Sequence, residues 1–376
     1  MKKYYIWLLL VFGYANPIVT ELLERFETAE GIFSAFRSNI AAAGAEYAGK
    51  AAETSLESAE KTLSELESKG YSVITIEDKL YPDALKETEN PPCVIFARGN
   101  TALLSEKLVT IGGSRKISSY TIAAETEICT KLCQKYTLVA SLGTGCEQLA
   151  CLTAMKCGKG CIEVLPCGFD REYPNGSDVM RQQLLMNGGC IITEFLPDVK
   201  SSNANYIRRG RISGGISKAM IVFQARIGSG SLNAAKYSPA LFFLPPHDVF
   251  SAEYAGAVQC VRNGAGLYLS EQDIDDVFKD GFTPRAVEIK IQKKPAAQEK
   301  PKEEKAPGKS VEPDSESFET PVHFSVYNRI RSAESITFDE IYRSEEVEIS
   351  DLSEILLDLE IEGRIKAMPG NRYMAL

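Results

Sequence analysis

The sequence has little of the chemistry on which hydrolytic enzymes depend. Its 376 residues include only two histidines, and neither His247 nor His323 lies beside a nucleophile pattern. The GxGxxG dinucleotide fingerprint, the nucleoside-triphosphate loops GxxxxGKS and GxxxxGKT, and the HExxH metal-binding motif are all absent. We therefore expect a binding protein without catalytic residues and without a cofactor.

Paired CxxC knuckles, the usual mark of a zinc site, are also absent. Ten cysteines occur, mostly in segments that are predicted to be buried strands or helices. This placement favours small core residues in a reducing cytoplasm over disulfides or a metal centre. Five of the cysteines fall between Cys146 and Cys167, so a zinc or iron–sulfur site is the alternative interpretation.

No apolar run is long enough to span a bilayer. The first one, Tyr4–Phe12, is too short and continues in helical period through Pro17–Phe36. Because two lysines precede it, a signal peptide is the alternative, although no clear cleavage site follows. The net charge of −9 and the pI near 5.1 exclude a protein that coats nucleic acid by bulk charge. Any nucleic-acid site must then be a local basic patch.

The segment 108–135 carries the strongest functional signal. Its apolar run Leu108–Ile111 predicts a buried strand, and Thr121–Gln134 has helical periodicity. The turn between them, GGSRK at 112–116, leaves backbone N–H groups free at the start of a helix, and Arg115 adds a planar donor. This predicts a phosphate site, whereas a plain turn whose glycines serve only geometry is the alternative.

The alternation of strand, small-residue loop and helix recurs along the chain. Further strands are predicted at 137–140, 161–165, 190–193, 219–223 and 241–244, the last of which closes the series. This pattern predicts a doubly wound parallel sheet, whose ligands bind at the carboxyl ends of the strands. The loops LGTG at 142–145 and GSGS at 228–231, with the arginine-rich segment 206–211, then share one edge with GGSRK.

Composition divides the chain into four predicted domains. Residues 1–66 form a small helical domain, and residues 67–286 form the Rossmann-like domain. Residues 287–317 are rich in Lys, Glu and Pro and are predicted to be a disordered linker. Residues 318–376 have the pattern of three helices and a hairpin, which is typical of a winged helix. The third helix, 349–362, is acidic, so we expect this domain to bind protein rather than duplex DNA.

Many small motifs in a fixed order resemble those of one family, DNA-processing protein A, also called DprA or Smf. They run over nearly the whole chain: Tyr5-Ile6-Trp7-Leu8, Leu22-Leu23-Glu24-Arg25-Phe26, Ile76-Glu77-Asp78, Tyr81-Pro82, Arg98-Gly99-Asn100, Gly113-Ser114-Arg115-Lys116, Tyr173-Pro174, Glu194, Arg208-Arg209, Arg211, Ser229-Gly230-Ser231-Leu232 and Gly264-Ala265. The resemblance implies a cytoplasmic homodimer without membrane contact. It also implies that the protein protects incoming single-stranded DNA in natural transformation and loads a RecA-type recombinase.

The resemblance and the predicted anion site together give a set of expected DNA-binding residues. Arg115 and Lys116 hold successive phosphates, and Arg208 and Arg211 extend the basic groove. Tyr206 offers a base-stacking surface, with core packing as the alternative. Backbone amides of the loops supply neutral donors. The full set is Gly113, Ser114, Arg115, Lys116, Gly143, Gly145, Tyr206, Arg208, Arg211, Gly228, Ser229, Gly230 and Ser231.

Several loop positions depart from the family pattern and leave the DNA affinity open. Thr144 stands in place of an arginine, Cys151 of a histidine, Gly210 of an asparagine and Gln224 of a glutamate. One alternative is a nucleotide phosphoribohydrolase-like enzyme in which Glu147 or Glu194 is catalytic. Another is a degenerate paralogue that acts as an interaction scaffold.

Overall fold

The computed structural model describes residues 1–38, 45–174, 176–287, 289, 321–333, 335–344, 347, 351–352, 355–356, 358–359, 364–368 and 372–375. These residues belong to two compact units, Met1–Ala296 and Ala297–Leu376. Nearly all of the predicted linker and most of the predicted helix 349–362 lie outside the described residues. The four predicted domain boundaries stay predictions.

In the described residues the first unit begins with five helices, and the first of them is buried among the other four. They are α1 (Lys2–Phe12), α2 (Pro17–Phe26), α3 (Ala29–Ser38), α4 (Ala45–Glu53) and α5 (Leu56–Ser68). Asn16 caps α2 through its side chain, and Pro17 occupies the first turn, where no N–H is needed. In α1, Trp7 is fully buried and its indole N–H donates to the carbonyl of Thr54 at 2.8 Å. The apolar run at the start of the chain is therefore the core of a helical layer.

The residues described in the next part of the unit form a nine-stranded sheet. Its strands are β1 (Ser72–Thr75), β2 (Val94–Gly99), β3 (Leu108–Gly112), β4 (Thr137–Ala140), β5 (Ile162–Val164), β6 (Cys190–Thr193), β7 (Ala219–Val222), β8 (Ala240–Phe243) and β9 (Gly266–Leu267). The spatial order is β1-β2-β6-β5-β4-β3-β7-β8-β9. β1 pairs antiparallel with β2, and β2 pairs antiparallel with β6. From β6 to β9 in this spatial order, each strand pairs in parallel with the next. The predicted fold class, a Rossmann-like doubly wound sheet, is confirmed.

Helices cover both faces of the sheet. After β1 the chain forms α6 (Asp83–Lys86), a 3-10 helix (Thr101–Ser105), α7 (Ser119–Leu132), α8 (Cys146–Lys156), α9 (Asp178–Met186), α10 (Asn203–Gly215), α11 (Ser231–Ala235), α12 (Ala255–Arg262) and α13 (Glu271–Val277). Successive strand residues point to opposite faces, so Leu138 joins the core with α7 and α8, whereas Val139 joins the core that contains Ile212 of α10.

The sheet reverses its strand order at β3. From β3 the chain proceeds outward through β4, β5 and β6 on one side, and then returns to place β7 on the other side. The loops that follow β3 and β7 therefore diverge, and a crevice opens between them at the carboxyl ends of the strands. The GGSRK and GSGS loops are these two loops.

Two details of the predicted sheet are wrong. The strand at 241–244 does not close the series, because β9 pairs with β8 beyond it. With only two residues, one of them Gly266, β9 carries no periodic signal. Val94–Gly99, which is not among the predicted strands, forms strand β2.

The second unit contains α14 (Pro321–Arg331), β10 (Ile336–Thr337), α15 (Phe338–Ser344), β11 (Ile365–Met368) and β12 (Arg372–Ala375). β12 lies between β10 and β11 and pairs antiparallel with both. Val326, Ile330 and Ile341 are fully buried in its core. The predicted winged helix is confirmed.

No helix in the described ranges is long and apolar enough to cross a membrane. The ten cysteines are free thiols, and all except Cys157 are buried. No group of three or more His, Cys, Asp or Glu side chains that could hold a metal ion occurs among the residues that the structure describes.

Candidate phosphate-binding site

Two of the predicted loops are locked together through their backbones. The N–H of Cys146, at the start of α8, donates to the carbonyl of Ser114 at 3.1 Å. Gly145 has a φ of +74°, and a Cβ there would lie 2.1 Å from the Ser114 oxygen and 2.7 Å from Arg115 backbone atoms. Only glycine permits this approach. The contact fixes the position of the Arg115 backbone, from which the arginine side chain extends.

We expect Gly145→Ala to displace the 113–116 loop and to reduce anion binding, because the new methyl group cannot coexist with the Ser114 carbonyl. Gly158→Ala is the matched control, since Gly158 has a φ of +67° but no atom within 4 Å of its Cβ position. In urea unfolding, Gly158→Ala should cost about 1 kcal/mol through backbone strain, and Gly145→Ala should cost more because it adds the clash with Ser114. Only Gly145→Ala should weaken binding of a labelled oligonucleotide, and equal binding by the two variants would contradict this.

A small cavity lies at the sheet edge beside β3. We call it the switch-point cavity; it is lined by Gly113, Arg115, Ser141, Gly143, Thr144, Glu147, Tyr173, Pro174, Tyr206 and Arg209, and its volume is about 130 Å³. Sites for whole small-molecule ligands typically measure about 300–1,000 Å³. The cavity is thus suited to a single phosphate group rather than to an enclosed nucleotide.

Tyr206 is the aromatic wall of the switch-point cavity. The guanidinium carbons of Arg115 and Arg209 lie 5.5 and 5.1 Å from the centre of its ring, within the range of cation–π attraction. Hydrogen bonding to the Tyr206 phenol also raises the pKa of Arg115. Arg115 is exposed, so its remaining N–H donors can reach a ligand in solution.

The second arginine of the cavity is tied to a carboxylate. Arg209 donates from Nη2 to Glu147 Oε2 at 2.6 Å and from Nε to Ser213 Oγ at 3.2 Å. Although burial opposes it, Glu147 raises the pKa of Arg209. Two guanidinium groups and one carboxylate leave the cavity with one net positive charge. An anion is the ligand that this balance favours.

A buried carboxylate, Glu163, connects two segments that line the cavity. Glu163 is fully buried; its Oε1 accepts from the N–H of Leu142 at 3.3 Å and its Oε2 from Arg181 Nε at 3.2 Å. Arg181 also donates to the carbonyl of Tyr173. Burial raises the pKa of Glu163, and the charge of Arg181 opposes that rise. This chain of contacts links the 141–145 loop to the Tyr173-Pro174 wall.

The structure brings together part of the predicted residue set. Gly113, Arg115, Gly143 and Tyr206 line the switch-point cavity. Ser114 and Gly145 form the contact between the loops, and Gly230 and Ser231 line an adjoining space with Tyr206 and Arg209. Lys116 and Arg208 are exposed outside the cavity; Arg208 donates to Asn205 Oδ1 at 3.0 Å. Gly228 and Ser229 belong to the GSGS loop, and neither lines the switch-point cavity.

Arg211 requires a correction. It was predicted to extend the basic groove, yet its side chain is 5% exposed and donates to Glu194 Oε2 at 2.7 Å. Burial raises the pKa of Glu194, and Arg211 opposes the shift. Arg211 thus anchors α10 against the end of β6 and is not on the groove surface. Glu194 likewise does not line the switch-point cavity.

We expect Arg211→Met to lower the free energy of unfolding by about 3–5 kcal/mol, because it leaves the Glu194 carboxylate buried without its partner. The double variant Arg211→Met with Glu194→Gln should recover much of that loss, since neither member of this buried pair then carries a charge. Urea unfolding measures both variants. A loss below about 1 kcal/mol in the single variant, the value typical of an exposed pair, would contradict a buried role for the ion pair.

Besides Glu147, five residues that line the cavity are absent from the predicted set: Ser141, Thr144, Tyr173, Pro174 and Arg209. For Arg209 a signal existed, because one turn of helix separates it from Tyr206 and places both on one face, whereas Arg208 and Arg211 point elsewhere. The glycines at 210, 214 and 215 concealed this helix. Glu147 was considered only as a catalytic residue, but its carboxylate is neutralised by Arg209.

The fold and the site define a class: a Rossmann-like protein with a candidate anion site beside β3, the strand at which the sheet reverses its order. The chain belongs to the DNA recombination-mediator protein A family, whose characteristic sequence matches residues 72–279. The DprA winged helix domain matches residues 310–371. The resemblance to the DprA and Smf family is confirmed.

Individual relatives are distant. The chain is 27% identical to DNA processing protein DprA of Bacillus subtilis over 219 residues, which are 57% of this chain and 73% of the relative. It is 27% identical to protein Smf of Escherichia coli over 229 residues, 60% of this chain and 61% of that protein. The X-ray structure of DNA processing protein A from Streptococcus pneumoniae superposes with a TM-score of 0.62 at 23% identity, covering 73% of this chain and 97% of that one. That likeness supports the fold.

Proposed function

We propose that this protein binds single-stranded DNA through the switch-point cavity. The observation that carries the proposal is that the guanidinium groups of Arg115 and Arg209 both lie near the ring of Tyr206, beside a cavity of phosphate size. A phosphate enters the cavity and meets Arg115 together with the backbone amides of the loops. Tyr206 and Tyr173 lie beside it as aromatic surfaces for the attached base.

The size of the cavity favours a nucleic-acid strand over a free nucleotide. At about 130 Å³ the cavity encloses one phosphate, and the sugar and base must lie outside. A strand compensates for this weak single contact by placing further phosphates on exposed cations such as Lys116 and Arg208. Aromatic stacking needs an unpaired base, so single strands are preferred over duplexes.

Fluorescence anisotropy of a labelled oligothymidine tests this proposal. We expect binding at low salt that weakens steadily as salt increases, with a log–log slope of about −0.7 for each phosphate contact. A hairpin duplex of equal phosphate number should compete poorly, and oligonucleotides of different sequence should compete about equally. Failure of the oligothymidine to bind at low salt would reject the function.

Within this function we propose that the protein acts as a homodimer and transfers the bound strand to a RecA-type recombinase during natural transformation. The family name and the winged helix support this role, because a recombination mediator needs a DNA site and a separate protein-binding surface. The test is recombinase ATPase activity on DNA coated with single-strand-binding protein. The protein should shorten the lag, and an unchanged lag would remove the loading role but not DNA binding.

A further inference from the structure

A buried amide joins three loops at the carboxyl edge of the sheet. Gln224, in the loop after β7, is 1% exposed. Its Oε1 accepts from the N–H of Ser118 at 3.2 Å and from Thr121 Oγ1 at 2.9 Å. Its Nε2 donates to the carbonyl of Lys116 at 3.2 Å and to Glu253 Oε2 at 3.0 Å. All four hydrogen-bonding positions of the amide are occupied.

The chemistry of the four partners requires an amide at this position. The Ser118 N–H can only donate, so it fixes which end of the side chain is oxygen. The Lys116 carbonyl and the Glu253 carboxylate can only accept, so the opposite end must be a donor. A carboxylate would satisfy the first side but would face two acceptors on the second, one of them charged.

Glu253 extends the network to a further cation. Its other oxygen forms an ion pair with Arg226, which is 61% exposed beside the GSGS loop. The hydroxyl of Tyr254 lies 3.0 Å from Ser118 Oγ and 2.9 Å from Thr121 Oγ1. The loops after β3, β7 and β8 are thus joined immediately behind Arg115 and Lys116.

We propose that Gln224 is a positioning residue for phosphate binding, and that the pair it forms with Glu253 holds the 113–118 loop in its binding geometry. The inference rests on the proposed function. Gln224 does not line the switch-point cavity, so it acts through the backbone of Lys116 and Ser118. Since Lys116 and Arg115 are adjacent, the hydrogen bond to the Lys116 carbonyl limits how far the guanidinium of Arg115 can move away.

Three variants test the role by oligothymidine affinity. Gln224→Met keeps the approximate shape without the hydrogen bonds, and Gln224→Glu opposes a second carboxylate to Glu253. We expect each to weaken binding by about tenfold or more. Gln224→Glu should have the lower affinity of the two, because it leaves a buried charge facing acceptors. Gln224→Glu with Glu253→Gln restores a donor and an acceptor across the pair but not the hydrogen bond to the Lys116 carbonyl, so its affinity should lie between that of Gln224→Glu and that of wild type.

Gln259→Glu is the control for added charge, because it lies on α12 outside the network. Wild-type affinity in both Gln224→Met and Gln224→Glu would overturn the proposal, as would a double variant no better than Gln224→Glu. Amide hydrogen exchange of Ser118 in the unliganded protein gives a second measurement that needs no DNA. We expect it to be faster in Gln224→Met.

These readouts separate the two hypotheses. If the wild-type protein does not bind oligothymidine, the proposed function fails, and the Ser118 exchange rate still decides whether Gln224 holds the loop. If the wild-type protein binds and the Gln224 variants bind equally well, only the positioning role fails.

Discussion

Arg115→Ala is expected to weaken oligothymidine binding by about ten- to a hundredfold, because one charge-assisted contact to a phosphate is worth about 1.5–3 kcal/mol. The loss of one phosphate contact should also make the salt dependence shallower by about 0.7 in log–log slope. Arg115 is exposed and pairs with no carboxylate in the described part of the chain, so its removal leaves no buried charge behind. Stability should change little.

The matched control is Arg262→Ala. Arg262 is an exposed arginine at the end of α12, away from the cavity residues, and its replacement removes the same charge. A change in affinity of equal size in both variants would mean that binding follows net charge rather than the site. An unchanged salt slope in Arg115→Ala would show that this side chain does not contact phosphate.

Glu125→Gln is expected to remove a large pH dependence of stability. Glu125, on α7, is fully buried, and no N–H or O–H donor reaches its carboxyl oxygens within the described residues. Burial raises its pKa from the ordinary 4.5 to about 8, and the weak thiol donor of Cys146 offsets this only in part. The folded protein therefore keeps a proton on Glu125 that the unfolded chain releases.

The sign follows from proton linkage. Between pH 4.5 and pH 8 the unfolded state binds fewer protons than the folded state at this group, so stability falls as pH rises. The contribution of Glu125 is fully present below pH 4.5 and is lost as pH rises toward 8, at up to about 1.4 kcal/mol per pH unit.

Urea unfolding from pH 5 to pH 8, followed by the fluorescence of Trp7, measures this slope. Trp7 is the single tryptophan and lies in the same compact unit as Glu125. The slope should become flatter in Glu125→Gln. Glu127→Gln is the control, because Glu127 lies on the same helix but is exposed and paired with Lys131. A wild-type slope in Glu125→Gln would mean that Glu125 is ionised in the folded protein.

The parts of the site that depend on local sequence were predictable. A strand of four or five apolar residues, a turn of glycine and serine, and a following helix are all encoded within about twenty residues. The GGSRK and LGTG loops were found on this basis, and so was the sheet edge on which they meet. Helical periodicity and the linker composition likewise led to the winged helix.

The roles of individual charged residues were not predictable in the same way. Arg208, Arg209 and Arg211 lie within four positions of one another, yet one is exposed, one lines the cavity and one is paired inside the core. The burial and contacts of the three arginines depend on the rotation of α10 about its axis. The glycines of this segment kept the helix from being predicted. Gly214 is needed because a Cβ there would lie 1.9 Å from the carbonyl of Ala234 on α11. Such a contact between distant segments leaves no periodic signal.

Buried polar networks are a second class of feature that the sequence concealed. Glu163 and Gln224 occupy ordinary positions in the sequence, and each holds a loop of the candidate site through partners that are distant in the chain. Gln224 appeared only as a departure from the family pattern. The Glu253 carboxylate accepts a hydrogen bond from the Gln224 amide, and this contact explains a glutamine rather than a glutamate at the position.

The most direct test of the central claim is to locate a bound strand on the protein. An oligothymidine carrying 5-iododeoxyuridine can be crosslinked by ultraviolet light, and the attached peptide can be identified by mass spectrometry. The proposed function predicts crosslinks to the peptides that contain Tyr206 or Tyr173, and their loss in Arg115→Ala. Crosslinks confined to the helices of residues 1–38 or to residues 321–376 would place DNA elsewhere and contradict a phosphate site at the switch-point cavity.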